Sequence, residues 1–340
     1  MPTPILIRNW LSLGDAVVLT AFVRDLSLAF PRQYKITVNT PYADVWRDNP
    51  HIDAHVVSRE VPKDKGKVYT LPYGEYIPKH SEDFNHFIGA YHKSFKGVTG
   101  LFVPLTDAKP DLRAARQITL PRPAERYWVV VGGAKKDFQV KQWNRGSYQA
   151  VVDYLVGSGI PVIQVGKNGG PQNGKHPPLR GAINLVDKTN VRELMQLISW
   201  ADGVISPVTA AMHIAAGFDK PAVVVAGGAE EWWWEGYHAD NPALANARTK
   251  PIVDHRYLHT LGLLPCCKKK GCWKTKVYEG KEGAMCLRKV DIDNQVLPQC
   301  MAMISPEQVY SSVLSYYLDG TLTEIPGMKL PSADQPIQFV

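Results

Sequence analysis

Asp15 closes the turn Ser12-Leu13-Gly14-Asp15, between an apolar run at residues 4–10 and a helical pattern. A carboxylate there lies at the positive end of the helix, which favours its ionised form. That form is what a general base requires, although a simple helix cap would use the same placement. Further along, Gly132-Gly133 ends the run YWVVVGG and is followed by Lys135, Lys136, Lys141, Trp143, Asn144 and Arg145. Glycines at a strand's end free backbone N–H groups for phosphate, and lysines neutralise its charge. Lys135 and Lys136 read more simply as solvated surface charges. In the stretch from Trp200 to Gly228, WADGVISPVTAAMHIAAGFDKPAVVVAGG, a small-residue helix start separates two apolar runs. Thr209 is placed as its N-cap, and small residues there let backbone N–H groups approach an anion. His213, about one turn inside, suits either that site or the core. Cys266, Cys267, Cys272, Cys286 and Cys300 all follow residue 265. Such clustering points to metal or redox chemistry before a disulfide framework. Four of them would make a thiolate site; the spacing is not that of a zinc ribbon, and reduced thiols are the rival.

These residues need elements to position them. Residues 4–10 read as a buried strand. The following helix repeats Val18, Phe22, Leu26 and Ala29 at helical spacing and ends before Pro31. YKITVNT is a strand, PYADVWRDNP a helix and IDAHVVS a strand, which together make a Rossmann-like layer. A further helix is expected from Asp83 to Phe95. LPRPAERY (Leu120 to Tyr127) suits a linker. The pattern then restarts with the strand YWVVVGG, the helix NRGSYQAVVDYLVGSG, the strand IPVIQVG and the polar turn KNGGPQNGKHPP. The expected fold class is α/β, with two Rossmann-like domains facing each other across a cleft as in the GT-B architecture, although the order alone would also permit other two-domain α/β proteins. The domains are read as 1–122 and 123–304, with the cysteine-rich segment 265–300 in the second. Residues 305–319 form a helix with Ser305 as N-cap, Pro306 in the first turn, Gln308 at the capping-box position and Gly320 beyond its end. In GT-B enzymes such a helix packs back on the first domain, and the same is expected here. The tail 320–340 reads as extended or disordered.

The formal net charge of +7 is compatible with anionic partners such as nucleotide sugars, lipid headgroups or nucleic acid. No dense basic run marks a nucleic-acid arm. No apolar run reaches the ~18 residues of a membrane span, and MPTPILIRNW lacks the long apolar core of a secretory signal. The expected compartment is the cytoplasm; the oligomeric state is left open.

Several segments together resemble one family. Ala201 to Phe218 can be laid without a gap on ADLFIGNDSGPMHLAAAL, a segment typical of glycosyltransferase family nine, the ADP-heptose:lipopolysaccharide heptosyltransferases. INLVDKTNVRELMQLI (Ile183 to Ile198) is similar to that family's NLTGKTSLRELAALI, and LSLGDAVVLTAFVRDL to its opening SLGDVLHTLPALRDL. LPQCMAMISPEQV resembles its CMKAITPEEV. The resemblance covers roughly Leu6 to Tyr317 and is strongest in the second domain. It implies transfer of a sugar, of which heptose is one candidate, from a nucleoside diphosphate sugar to an acceptor hydroxyl, with no metal needed for the transfer. Asp15 would be the catalytic base. Lys141 matches the family's Lys-x-Trp, with Asn144 standing for Pro, and would meet the diphosphate. Donor and phosphate binding would fall to Gly14, Gly132, Gly133, Lys141, Gly166, Lys167, Leu185, Asp187, Thr209, Ala210, Met212 and His213. In the autotransporter heptosyltransferase branch such cysteines form an iron-binding finger, which implies a structural Zn or Fe on Cys267, Cys272, Cys286 and Cys300. After Glu230 and Glu231, the aromatic run Trp232-Trp233-Trp234 would stack on a sugar or acceptor, or one or two of these tryptophans would simply close the core. The acceptor could be a glycan, a protein or hydroxymethylated DNA.

Two departures stand out. Val208-Thr209-Ala210-Ala211 replaces Asp-Ser-Gly-Pro, removing an acid that usually faces the donor sugar. The segment VGKNGGPQNGK lacks the acid that often holds the ribose. They leave two alternatives: a catalytically inactive nucleotide-sugar-binding module, and a nucleic-acid-binding protein with a cysteine metal knuckle beside Lys268 to Lys270.

Overall fold

A computed structural model describes residues 1–60, 66–76, 84–114, 122–133, 139–169, 174–272, 277–278, 285–286 and 288–328. The chain forms two compact units. The first holds Met1–Gln117, Ala216–Asp219 and Trp233–Asp254; the second holds Ile118–Ala215, Lys220–Trp232 and His255–Val340.

In the first unit, β1 (Thr3–Arg8) leads to α1 (Leu13–Ala29), β2 (Tyr34–Asn39), α2 (Ala43–Trp46), β3 (Ala54–Val56), β4 (Lys67–Thr70), a single 3-10 turn at Tyr73–Glu75 and α3 (Phe87–Thr99). The strands pair in parallel in the order β3-β2-β1-β4. Ile5, Leu6 and Ile7 of β1 are all buried, as expected of a central parallel strand covered on both faces. Two helices differ from expectation. α2 is four residues long and ends where Arg47 turns to extended backbone at ψ 132°, followed by Asp48 at φ 62°. α3 begins at Phe87 rather than Asp83, because His86 Nδ1 accepts the Ile88 N–H at 3.2 Å and so caps the helix there. It runs on to Gly100, whose φ of 75° closes it.

The second unit contains β5 (Trp128–Val131), α4 (Arg145–Gly157), β6 (Val162–Val165), β7 (Ile183–Asn184), α5 (Val191–Trp200), β8 (Gly203–Pro207), most of α6 (Ala210–Gly217), β9 (Ala222–Gly227) and β10 (Arg256–His259). Its six strands run parallel in the order β10-β9-β8-β5-β6-β7. Counted from β5, this is the 3-2-1-4-5-6 order of dinucleotide-binding sheets. The strand order reverses between β5 and β8. In the first sheet it reverses between β1 and β4. In open α/β sheets ligands bind outside the carboxyl ends of the strands at these reversals.

A short helix, α7 (Trp232–Glu235), follows β9. Beyond β10, the chain adds the antiparallel pairs β11 (Val277–Tyr278) with β12 (Met285–Cys286) and β13 (Lys289–Ile292) with β14 (Gln295–Pro298). Asp293 and Asn294 turn the second hairpin at φ 53° and 59°, a conformation that Asp and Asn tolerate. α8 (Gln299–Ala302) and α9 (Pro306–Leu318) complete the chain's helices among the described residues. The Ser305–Gln308 capping box starts α9: the Gln308 side chain accepts the Ser305 N–H at 2.8 Å, and Ser305 Oγ accepts the Gln308 N–H at 3.3 Å. α9 packs against α4 and β9, and the Tyr316 hydroxyl donates to the Ala222 carbonyl at 3.1 Å. The fold is thus α/β with two Rossmann-like units, the class expected. Among the described residues no helix is long and apolar enough to cross a membrane. Lys135, Lys136, the start of the expected helix at Asp83 and tail residues 329–340 lie outside the described residues.

Candidate active site

In the first unit, β1 passes through Asn9–Ser12 into α1, and Asp15 is the third residue of that helix. Its carboxylate reaches back as half of a capping box. Oδ2 accepts the Ser12 N–H at 2.8 Å and the Ser12 hydroxyl at 2.5 Å. Oδ1 accepts a hydrogen bond from the Tyr73 hydroxyl. The cap and the base described above are therefore compatible, since the capping bonds engage Oδ2. Tyr73 is buried against Tyr91 and Phe87, with ring centroids 4.6 and 5.2 Å away. Burial, then the neighbouring Tyr91 and Asp15, push the Tyr73 hydroxyl well above the usual tyrosine range, so it stays protonated and donates. Gly14 lies in the first turn of the same helix.

The tryptophan run divides its work. Trp234 is 1% exposed and closes the core. Trp233 stands edge-on to Phe84 at 5.2 Å, and Phe84 is exposed. Both aromatic partners belong to the first unit.

In the second unit, the expected donor residues gather at the carboxyl ends of strands. Gly132 and Gly133 follow β5, Gly166 and Lys167 follow β6, Leu185 and Asp187 follow β7, and Thr209 and Ala210 follow β8. The glycines have a reason that spacing did not reveal. A Cβ on Gly133 would lie 2.7 Å from His176 Cε1, and one on Gly166 would lie 2.4 Å from His176 Nδ1. Both glycines make room for this ring. His176 is 8% exposed, and its Nδ1 has no hydrogen-bond partner among the described residues. Burial lowers its pKa below the usual histidine value, against the pull of Asp187. The ring sits in the polar turn after β6, and only the fold brings it onto the glycines.

Asp187 lies just beyond β7, beside the segment that follows β6. Asp187 accepts the Asn168 N–H at 2.8 Å and its side-chain N–H at 2.9 Å, and lies 3.9 Å from Lys167 Nζ. Those Asn168 hydrogen bonds hold its carboxyl below the usual range.

Thr209 stands at the N-cap position, immediately before α6, but its side chain does not cap the helix. Its Oγ1 is buried and makes no hydrogen bond among the described residues, at the start of α6. Met212 and His213, further along α6, are buried. His213 lies near His255, which burial and then His213 push down to about 3. Val208 is buried too.

Lys141 ends a 3-10 turn at Gln139–Lys141, with its Nζ 2.9 Å from Glu230 Oε1. Glu230 is only 2% exposed. Trp143 is buried and donates to the Ile304 carbonyl at 3.0 Å, while Asn144 caps α4 by accepting the Ser147 N–H at 2.9 Å. The cap accounts for Asn where the family has Pro. Glu231 holds a different segment: it accepts the Gly271 N–H at 2.6 Å.

Four of the cysteines, Cys267, Cys272, Cys286 and Cys300, are buried, Cys266 is half-buried, and none is disulfide-bonded. Cys272 and Cys286 pack with Val140 and Ala229, so the cysteine segment backs the turn carrying Lys141. Burial, then the neighbouring thiols, push Cys272 up to about 12. Burial likewise leads the rise of Cys300 to about 11. Among the described residues, no three Cys, His, Asp or Glu side chains are placed so that they could hold a metal ion.

A parallel sheet in this order, with glycines and a helix start at its reversal point, is the architecture of nucleotide-binding α/β folds. The family model of glycosyltransferase family 9 (heptosyltransferase) matches residues 74–257, more than half of the chain. The chain belongs to glycosyltransferase family 9 and is a glycosyltransferase. No curated protein matches it. Among solved structures it is similar to the dodecameric iron-containing heptosyltransferase TibC in complex with ADP-D-beta-D-heptose, with 18% identity over 94% of this chain and 78% of that one, and a TM-score of 0.64. TibC comes from enterotoxigenic E. coli H10407. It is also similar to E. coli ADP-heptose lps heptosyltransferase II, with 15% identity over 94% and 100% of the two chains and a TM-score of 0.61. For a family 9 glycosyl transferase from Veillonella parvula DSM 2008 the values are 15%, 93%, 97% and 0.57. At these identities the likeness is one of fold.

Proposed function

We propose that this chain transfers a heptose from ADP-heptose, or a closely related nucleoside diphosphate sugar, to an acceptor hydroxyl. The observation that carries the donor side is the Thr209 hydroxyl, buried without a hydrogen-bond partner among the described residues where β8 enters α6. There the helix's free N–H groups and this hydroxyl suit a phosphate oxygen. Lys141 supplies the cation for the diphosphate. Asp187, beside Lys167, supplies an acid for the ribose hydroxyls. The acceptor oxygen attacks the sugar's C1, its proton passes to Asp15, and the C1–O bond to the diphosphate breaks to release ADP. TibC was solved with an ADP-heptose, which supports the choice of donor. Incubating the chain with ADP-heptose and candidate glycan, protein and hydroxymethylated-DNA acceptors tests this by mass spectrometry. A heptosyl increment on one acceptor class supports the proposal; ADP-heptose left intact with every class argues against it.

Lys141→Ala should weaken ADP binding by about 10- to 100-fold, the cost of losing a charge-assisted contact. It should also lower the melting temperature, because Glu230's buried carboxylate loses this cation. Calorimetry showing unchanged ADP affinity would remove Lys141 from the donor site.

We also infer a structural metal on Cys267, Cys272, Cys286 and Cys300. The donor chemistry fits: the four thiols are buried and unbridged, and soft thiolates select Zn or Fe. TibC is described as iron-containing. The placement of the thiols, with no three converging among the described residues, does not by itself make the site. Bound there, a metal would fasten the segment behind the Lys141 turn. Elemental analysis of protein purified without a histidine tag should find one metal per chain, and chelation should lower stability. Sub-stoichiometric metal with full stability would leave the cysteines as ordinary thiols.

A further inference from the structure

Tyr73 follows β4, and β4 pairs with β1. The topology therefore carries Tyr73 to the same reversal point of the first sheet as Asp15, 58 residues earlier in the chain. We propose that Tyr73 is a positioning residue for the Asp15 carboxylate, its hydroxyl fixing Oδ1 while Ser12 fixes Oδ2. The inference rests on Asp15 being the base. A carboxylate held at one oxygen can still rotate about its Cβ–Cγ bond. One held at both presents the remaining Oδ1 lone pair in a single direction, which proton abstraction requires.

The surroundings fit this role. The Tyr73 ring is wedged against Tyr91 and Phe87. Tyr91 is fixed in turn: its hydroxyl accepts from Asn9 Nδ2 at 2.7 Å and donates to the Asp15 carbonyl at 3.2 Å. Tyr73 thus has a locked ring and a hydroxyl that is a donor throughout. When Asp15 takes the acceptor's proton, Tyr73 need not move one.

ADP release from ADP-heptose, with water as the acceptor, supplies a probe reaction. Water attacks C1, its proton goes to Asp15, and ADP leaves as free heptose forms. Tyr73→Phe keeps the ring and removes the hydroxyl. It should lower kcat by about tenfold or more, the worth of one hydrogen bond to a charged group, with donor KM and melting temperature nearly unchanged. Asp15→Asn, measured alongside, should lose far more. If Asp15→Asn is inactive while Tyr73→Phe keeps the wild-type kcat, Tyr73 only packs and the proposal is overturned. If Asp15→Asn keeps the wild-type rate, the base assignment falls and the role of Tyr73 falls with it.

Discussion

Asp15→Asn is expected to cut the rate of sugar transfer by about 100- to 10,000-fold, the range that a general base contributes. The fold should barely notice. Asn retains a side-chain oxygen that can accept the Ser12 N–H from the third helical position. Losing one such hydrogen bond costs only ~0.5–1.5 kcal/mol. ADP affinity should also hold, because the groups proposed for the diphosphate, Lys141 and Thr209, belong to the second unit. The variant therefore separates chemistry from capping. Turnover within a few-fold of wild type, on the acceptor identified by mass spectrometry, would return Asp15 to a purely structural role.

The largest effect on stability is expected at Asp25. Its carboxylate is 0% exposed and takes hydrogen bonds from Arg24 Nε at 2.8 Å, from Thr106 N at 3.2 Å and from the Thr106 hydroxyl. His92 Nε2 lies 2.9 Å away. Arg24 also donates to the Lys109 and Asp107 carbonyls at 3.0 and 2.9 Å, so the group ties residues 106–109 to α1. Asp25→Ala would leave the buried guanidinium with only Asp107, 3.8 Å from Arg24 Nη1, as an anionic neighbour, and breaking a buried pair typically costs ~3–5 kcal/mol. In a unit of this size that lowers the melting temperature by on the order of 10 °C. The pH dependence has a definite sign. Burial alone would raise the Asp25 pKa, but bonds from His92, Arg24 and Thr106 and the Arg24 charge outweigh it and hold the carboxyl below its usual value. The stabilisation is then complete above the unfolded carboxylate's pKa of about 4 and is lost only as pH falls through the lower folded value. The gap in stability between wild type and Asp25→Ala should stay constant from neutral pH to about 5 and narrow only in stronger acid. Melting curves across that range would show it, and a gap of under about 1 kcal/mol at neutral pH would contradict the network's role.

The sequence made the central strands and the edge strand β3 readable, and the other three edge strands not. β1, β5, β8 and β9 are buried on both faces and so appear as unbroken apolar runs. β4 has no fully buried residue, β7 is two residues long and β10 is only partly buried. None carries a periodic signal, and all three lie at sheet edges. The missed β4 had a consequence for the site. Without its pairing to β1, nothing in the sequence places Tyr73 beside Asp15. His176 was hidden for a similar reason, since its contact with Gly133 and Gly166 spans strands that only the sheet order brings together. Helix signals local to a few residues, such as Ser305 with Gln308, were legible because both partners lie within one turn. Thr209 shows the limit of that rule: a residue type suited to capping precedes α6, yet its hydroxyl is not spent on the helix.

The central claim is that the second unit binds a nucleoside diphosphate sugar, and thermal melting against a panel of nucleotide sugars tests it most directly. A ligand at 100 times its Kd stabilises the state it binds by ~2.7 kcal/mol. The account predicts that ADP-heptose and ADP raise the melting temperature by several degrees, that Lys141→Ala reduces this shift, and that donors built on other nucleotides do less. A panel in which no nucleoside diphosphate or its sugar moves the wild-type transition would contradict it.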